Sequence, residues 1–162
     1  MKTVDVIDDF LDQEDFLKIK QTVFSDEFPW YYSRYKVESL KTDIKNYQFV
    51  HMFYYDYSVR SEYFDMLKPV FNKLDIKALV KVKVNLTTLT DTVYDFSLHT
   101  DVDHRCKTAI FYINTNNGYT LIGNEKIKSI ENRLVIFDSE IPHAGSTCSD
   151  QSVRCVLNIN YF

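Results

Sequence analysis

The closing stretch Val153-Arg154-Cys155-Val156-Leu157-Asn158-Ile159-Asn160-Tyr161-Phe162 carries two different faces in one segment. Side chains alternate sides along a strand. Cys155, Leu157 and Ile159 then form a packed face, and Arg154, Val156, Asn158 and Asn160 form its opposite. Amides inside an apolar strand need partners. Asn158 and Asn160 are therefore expected to meet a ligand, and a twist turning both to solvent is the alternative.

Working outward, the same alternation recurs at Thr108–Asn114, Tyr119–Ile122, Arg133–Phe137 and Ala78–Thr88. Asn116, Asn117 and Gly118 supply turn chemistry, and Pro142 and Gly145 bracket His143. Before residue 78 the period is helical. Asp12 reads as an N-cap, followed by Glu14 and Asp15 in a first turn that favours negative charge. Phe16, Leu17, Lys20, Val23 and Phe24 follow at helical spacing, and Pro29 ends the element. A second helix is expected from Ser61 to about Leu74, with Pro69 as a defect. Val4 to Ile7 reads as a short strand, and His51 as a half-buried strand histidine. Helices followed by closely spaced strands imply a mostly β, α+β fold: a β-sandwich or jelly roll with N-terminal supporting helices. One domain is expected over 1–162, with helical support at about 8–75 and the jelly-roll core at about 78–162.

A chain of 162 residues is long enough for one sizeable core. The net charge of −4 argues against a protein that tracks phosphate backbones. Lys77, Lys81 and Lys83 alternate with apolar residues and read as a solvated strand face. The 3 Cys, without CxxC spacing, suit reduced thiols in an intracellular setting. Residues 1–10 lack a long apolar run, so neither a signal peptide nor a membrane span is expected. The oligomeric state stays open.

His99 and Asp101 are spaced i, i+2, so on an extended strand both reach one side and can meet one ion. His143, on a loop after the apolar run Leu134–Phe137, is the candidate third ligand. Two His and one carboxylate leave open positions and suit non-haem iron(II). His104 is a rival ligand. Arg154 follows His143 by eleven residues.

The order His99-x-Asp101, His143, Arg154 resembles the prolyl 4-hydroxylase-like branch of the 2-oxoglutarate/iron(II)-dependent oxygenases. Arg105-Cys106-Lys107-Thr108-Ala109-Ile110-Phe111-Tyr112-Ile113-Asn114 resembles the strand after the His-x-Asp motif of hypoxia-inducible-factor prolyl hydroxylases, and Arg154 through Phe162 their closing segment. The likeness covers about residues 85 to 162, and the chain also resembles compact phage-encoded members. The resemblance implies a double-stranded β-helix using Fe(2+), 2-oxoglutarate and dioxygen, with succinate and carbon dioxide as co-products.

It also implies site roles. His99, Asp101 and His143 would bind the metal; Arg154 would hold the distal carboxylate of 2-oxoglutarate, with the Tyr112 hydroxyl donating to it. Arg133 is the rival anion holder. Asn85 and Thr87 are further co-substrate contacts, Thr87 standing where several relatives carry Tyr. Asn158, Asn160, Ile110 and Leu121 are expected against substrate or supporting the ligands. The substrate is expected to be a peptide or protein, foremost a peptidyl prolyl residue, ahead of a small molecule; nucleic acid and membrane are disfavoured. Pocket walls are expected from Trp30–Tyr35, Ser33–Asn46 and Leu89–Leu98, with Phe53–Tyr57 as further stacking rings. A cupin-type metalloenzyme without 2-oxoglutarate and a non-catalytic jelly-roll binding domain are the other readings.

Overall fold

The computed structural model describes residues 4–37 and 41–162. Residues 38–40 of the expected Ser33–Asn46 wall lie outside the described residues. Eight strands form a major antiparallel sheet: β1 (Asp5–Ile7), β2 (Tyr31–Ser33), β3 (Gln48–Tyr55), β4 (Ser58–Val59), β5 (Leu79–Thr88), β6 (Lys107–Tyr112), β9 (Leu134–Asp138) and β11 (Val153–Tyr161). Its order is β1-β9-β6-β11-β5-β3-β2, with β4 paired to β3. A minor sheet stacks β10 (His143–Gly145), β7 (Tyr119–Ile122) and β8 (Glu125–Lys128). The two sheets make the expected jelly roll.

Strand β11 lies between β5 and β6, and its two parities build the two sides of the molecule. Cys155, Leu157 and Ile159 join Val82 and Val84 of β5 and Phe111 of β6 in the larger core. Helix α1 (Gln13–Val23) covers that face through Phe16, Ile19 and Val23. Asp12 precedes α1 as expected but makes no side-chain capping hydrogen bond. Ile19 takes the inward position; Leu17 and Phe24 are partly exposed.

The second expected helix is split. A 3-10 turn over Phe64–Leu67 leads into α2 (Lys68–Lys73). Pro69 falls in the first turn of α2, where no intrahelical donor is required of it. The segment read as helical support also supplies β2, β3 and β4. In β3, aromatic and β-branched residues favour the extended state, and His51 is fully buried between Pro29 O and Ser61 Oγ, each at 2.7 Å. No helix among the described residues is long and apolar enough to cross a membrane.

Beneath the opposite face, Ile110, Tyr112, Val135, Phe137 and Val156 of the major sheet pack with Ile122 and Ile127 of the minor one. Phe111, fully buried, meets the edges of Phe10 and Phe16 at 5.8 and 6.0 Å. Phe111→Ala should destabilise the chain by about 3–5 kcal/mol, read as a lower denaturant midpoint with an unchanged slope. A loss under about 1 kcal/mol would mean that this ring cluster does not hold α1 to the sheet.

Candidate metal centre and anion pocket

His99 and His143 face each other across a β-bridge: His99 N–H donates to His143 O at 2.9 Å, and His143 N–H donates to His99 O at 3.0 Å. This pair ties the segment before Asp101 to β10 and sets the two rings 4.9 Å apart. His99 Nδ1 lies 3.1 Å from Ser97 O and His143 Nδ1 lies 3.3 Å from Ile141 O. A carbonyl only accepts, so each Nδ1 carries its hydrogen and each neutral ring keeps its Nε2 lone pair for the centre.

Asp101 completes the cluster, with Oδ1 3.7 Å from His99 Nε2 and Oδ2 3.4 Å from His143 Nε2. All three ligand atoms lie within 4.8 Å of one another. Ligands about 2.1 Å from a common ion sit at comparable separations, so the donors fit one first-row cation. Asn158 Nδ2 donates to Asp101 Oδ2 at 2.7 Å, and Lys81 Nζ donates to its backbone carbonyl at 3.2 Å. Burial alone would raise the Asp101 carboxyl, but in the metal-free protein a protonated His143 lowers it by a hydrogen bond and by its charge, and Lys83 and Lys81 lower it further, well below the usual carboxylate range. Burial lowers His99, as do His143 and Lys36. An ionised Asp101 and a neutral His99 are the forms that bind a metal, and a cation entering the site would displace the proton that His143 shares with Asp101.

Arg154 shares the pocket with this cluster and is 2% exposed. Its Nε donates to Ser129 Oγ at 2.8 Å and its Nη2 to Thr120 Oγ1 at 2.9 Å. No carboxylate pairs with it among the described residues, and its Nη1 has no acceptor there. A buried guanidinium without a counter-charge costs several kcal/mol, so the site is built to receive an anion. Gly118 makes room for the side chain: a Cβ there would lie 2.7 Å from Arg154 Cδ and 2.6 Å from Thr147 O. Arg133, the rival, is committed to Asp8 through Nε and Nη2. His104, the rival ligand, stacks on Phe162.

Strand parity places most expected residues. Arg154, Val156 and Asn158 of β11, Ile110 of β6 and Asn85 of β5 all line the pocket. Asn160 is buried on the same face but lies deeper, donating to Thr108 Oγ1 at 3.0 Å. Neither amide twists out to solvent.

Three expectations are corrected, for Tyr112, Leu121 and Lys83, while Thr87 keeps a buried hydroxyl with no hydrogen-bond partner among the described residues. Tyr112 does not reach the pocket directly: its hydroxyl donates to Thr120 Oγ1 at 2.8 Å, behind the Arg154 guanidinium. Leu121 lies on the wrong parity of β7, and its neighbour Thr120 lines the pocket instead. Thr87 stands opposite Arg154 in the sheet, but its side chain lines a neighbouring cavity with Tyr47, Thr90 and Thr147. Lys83 is not on a solvated face: it turns into the pocket, where burial depresses its pKa against the pull of Asp101.

The aromatic walls are also absent from the pocket. Trp30 packs on Phe28 and donates to Val23 O, Tyr31 and Tyr32 are exposed, and Tyr55 and Tyr57 border a separate surface pocket beside His104. Lys36 lines the pocket from within the expected Ser33–Asn46 wall, and Gln48 and Thr120 are lining residues that strand and motif reasoning missed. Only the alternation Tyr119-Thr120-Leu121-Ile122 carried a usable signal, for Thr120.

No protein-family model matches the sequence, and no curated protein matches it. Solved structures do resemble the fold. A prolyl hydroxylase from Trichoplax adhaerens, in complex with a hypoxia-inducible-factor oxygen-degradation-domain peptide fragment, superposes with a TM-score of 0.73 at 16% identity, over 100% of this chain and 84% of that one. A Pseudomonas putida prolyl-4-hydroxylase gives 0.69 at 14% identity, over 99% and 93%. The fold is that of the prolyl hydroxylases. An α-ketoglutarate-dependent carbocyclase of nogalamycin biosynthesis gives 0.72 at 8% identity, over 99% and 79%, so this prolyl hydroxylase fold also serves other chemistry.

Asp101→Ala should abolish tight binding of one divalent cation while leaving the thermal transition of the metal-free chain intact, measured by calorimetry with manganese(II) or iron(II) under anaerobic conditions. Undiminished binding would move the metal site away from His99, Asp101 and His143. Gly118→Ala should retain the metal and weaken anion binding, because the added methyl displaces the Arg154 side chain.

Proposed function

We propose that the chain is a 2-oxoglutarate- and iron(II)-dependent dioxygenase that hydroxylates an organic substrate, foremost a peptidyl prolyl residue. The reaction would consume dioxygen and 2-oxoglutarate and yield the alcohol, succinate and carbon dioxide. One observation carries the reading: a two-His, one-carboxylate cluster and a buried arginine with no carboxylate partner among the described residues open into the same pocket. A cupin-type metal site without 2-oxoglutarate would have no use for that arginine.

His99, Asp101 and His143 would hold iron(II) through Nε2, a carboxylate oxygen and Nε2. The bound metal supplies dioxygen activation coupled to decarboxylation of 2-oxoglutarate. Arg154 would anchor the distal carboxylate by charge-assisted hydrogen bonds. Thr120 Oγ1 already accepts from Tyr112 and Arg154, so its own hydrogen is free to donate into the pocket. Tyr112 thus acts through Thr120. Asn158 holds the Asp101 carboxylate in place, and Ile110 and Val156 give the pocket an apolar floor. The prolyl peptide is supported by the fold neighbours, one of them carrying a peptide. Three free, buried cysteines support action inside a cell.

Iron(II)-loaded protein should convert 2-oxoglutarate to succinate and add one oxygen to a proline-containing peptide, read by mass. Succinate formation that is absent with every substrate offered, although iron and 2-oxoglutarate bind, would favour a binding domain. Arg154→Ala should weaken 2-oxoglutarate binding by tens of fold or more, from a loss on the order of 2–5 kcal/mol, with metal binding retained. Thr120→Val should weaken it by about tenfold or more, one hydrogen bond to a charged group at about 1.5 kcal/mol. Unchanged affinity in Arg154→Ala would place the anion site elsewhere.

A further inference from the structure

The pocket carries more positive charge than the proposed reaction uses. Among the described residues, Lys36, Lys83 and Arg154 line it with Asp101 as their one carboxylate. Iron(II) and the 2-oxoglutarate dianion cancel each other, so two positive charges remain in a shielded space. Neither ammonium has a hydrogen-bond acceptor or an ion-pair partner among the described residues. Buried charges are retained only where something compensates them.

Both lysines are held in position. Lys36 N–H donates to Asn46 Oδ1 at 3.2 Å, while Asn46 also bonds Val37 through N–H···Oδ1 at 2.9 Å and Nδ2–H···O at 2.6 Å. Asn46 is 1% exposed, so this clamp is part of the interior. The Lys36 ammonium then lies over the Phe96 ring, 4.5 Å from its centroid, and points toward Gly145. Lys83 enters from the middle of β5, directly opposite Asn158, which holds Asp101. Asn85, two residues on and on the same face, leaves its Oδ1 without a donor.

We infer that Lys36 and Lys83 recognise a carboxylate on the substrate, next to the carbon that is hydroxylated. Asn85 Oδ1 then offers an acceptor for a neighbouring N–H of the same molecule. A free amino acid supplies this chemistry, and so does a peptide with an acidic residue beside the target. Burial, followed by the charges of Arg154 and Lys83, lowers Lys36 to about 7, so an anion beside it would favour its charged form. The inference rests on the proposed oxygenase reading for the identity of the reacting site.

Calorimetry on the iron(II)- and 2-oxoglutarate-loaded protein, kept anaerobic, tests it with matched acid and amide probes. One arm compares free amino acids, proline among them, with their amides. The other compares capped prolyl peptides carrying Asp with the same peptides carrying Asn. The acid member of at least one arm should bind about tenfold or more tightly than its amide, and the arm that responds identifies the source of the carboxylate. Lys36→Met and Lys83→Met should each erase that preference while 2-oxoglutarate affinity stays within about twofold. Equal affinity for acid and amide, no binding of any acid probe, or a preference that survives in the double variant would overturn the inference. So would a fall in 2-oxoglutarate affinity like that of Arg154→Ala, which would assign the lysines to the co-substrate. If wild-type protein fails to bind 2-oxoglutarate, the proposed function fails instead, and the acid–amide comparison on iron-loaded protein still decides the role of the lysines.

Discussion

The two-faced packing of β11 is the constraint on which the rest of the molecule depends. Cys155, Leu157 and Ile159 face the larger core under α1, and this fixes Arg154, Val156 and Asn158 toward the pocket. A strand cannot shift by one residue without exchanging those faces. Such a slip would place a guanidinium and two amides in an apolar core and carry an apolar row to the metal. The register is also fixed on both sides, by β5 and by β6. Fold stability and site geometry therefore rest on the same hydrogen-bonded pairs.

Electrostatics complete what packing begins. The imidazoles of His99 and His143 are oriented by backbone carbonyls, and Asp101 by Asn158. Arg154 is oriented by Ser129 and Thr120, both hydroxyls, so its charge is positioned without being neutralised. Neutral hydrogen-bond partners leave that charge for a ligand, whereas Arg133, paired with Asp8, has none to offer. This contrast sets the uncompensated Arg154 apart from the paired Arg133.

Much of this was legible in the sequence, because period-two alternation and the His99-x-Asp101 spacing are local signals. The five long strand expectations correspond to β5, β6, β7, β9 and β11, each within about two residues at its ends. β3 was legible only around His51, because its pairing with β5 is a long-range fact. Lys83 was misread because alternation tells which residues share a face, not which face is wet. Lys36 was legible only as part of the expected Ser33–Asn46 wall: its own place depends on a clamp by Asn46, ten residues away, and on Phe96, sixty residues away. Tyr112 was read on the right parity, yet the reach of its hydroxyl is set by Thr120, which belongs to the other sheet.

The central claim is that the metal cluster and Arg154 form one site for one bifunctional ligand. Anaerobic titration of 2-oxoglutarate into the protein with and without iron(II) tests this most directly. The account predicts that iron(II) strengthens 2-oxoglutarate binding strongly, since one end of the ligand reaches the metal and the other Arg154. It also predicts that this gain disappears in Asp101→Ala. Binding that is indifferent to the metal, or no binding in either state, would contradict it.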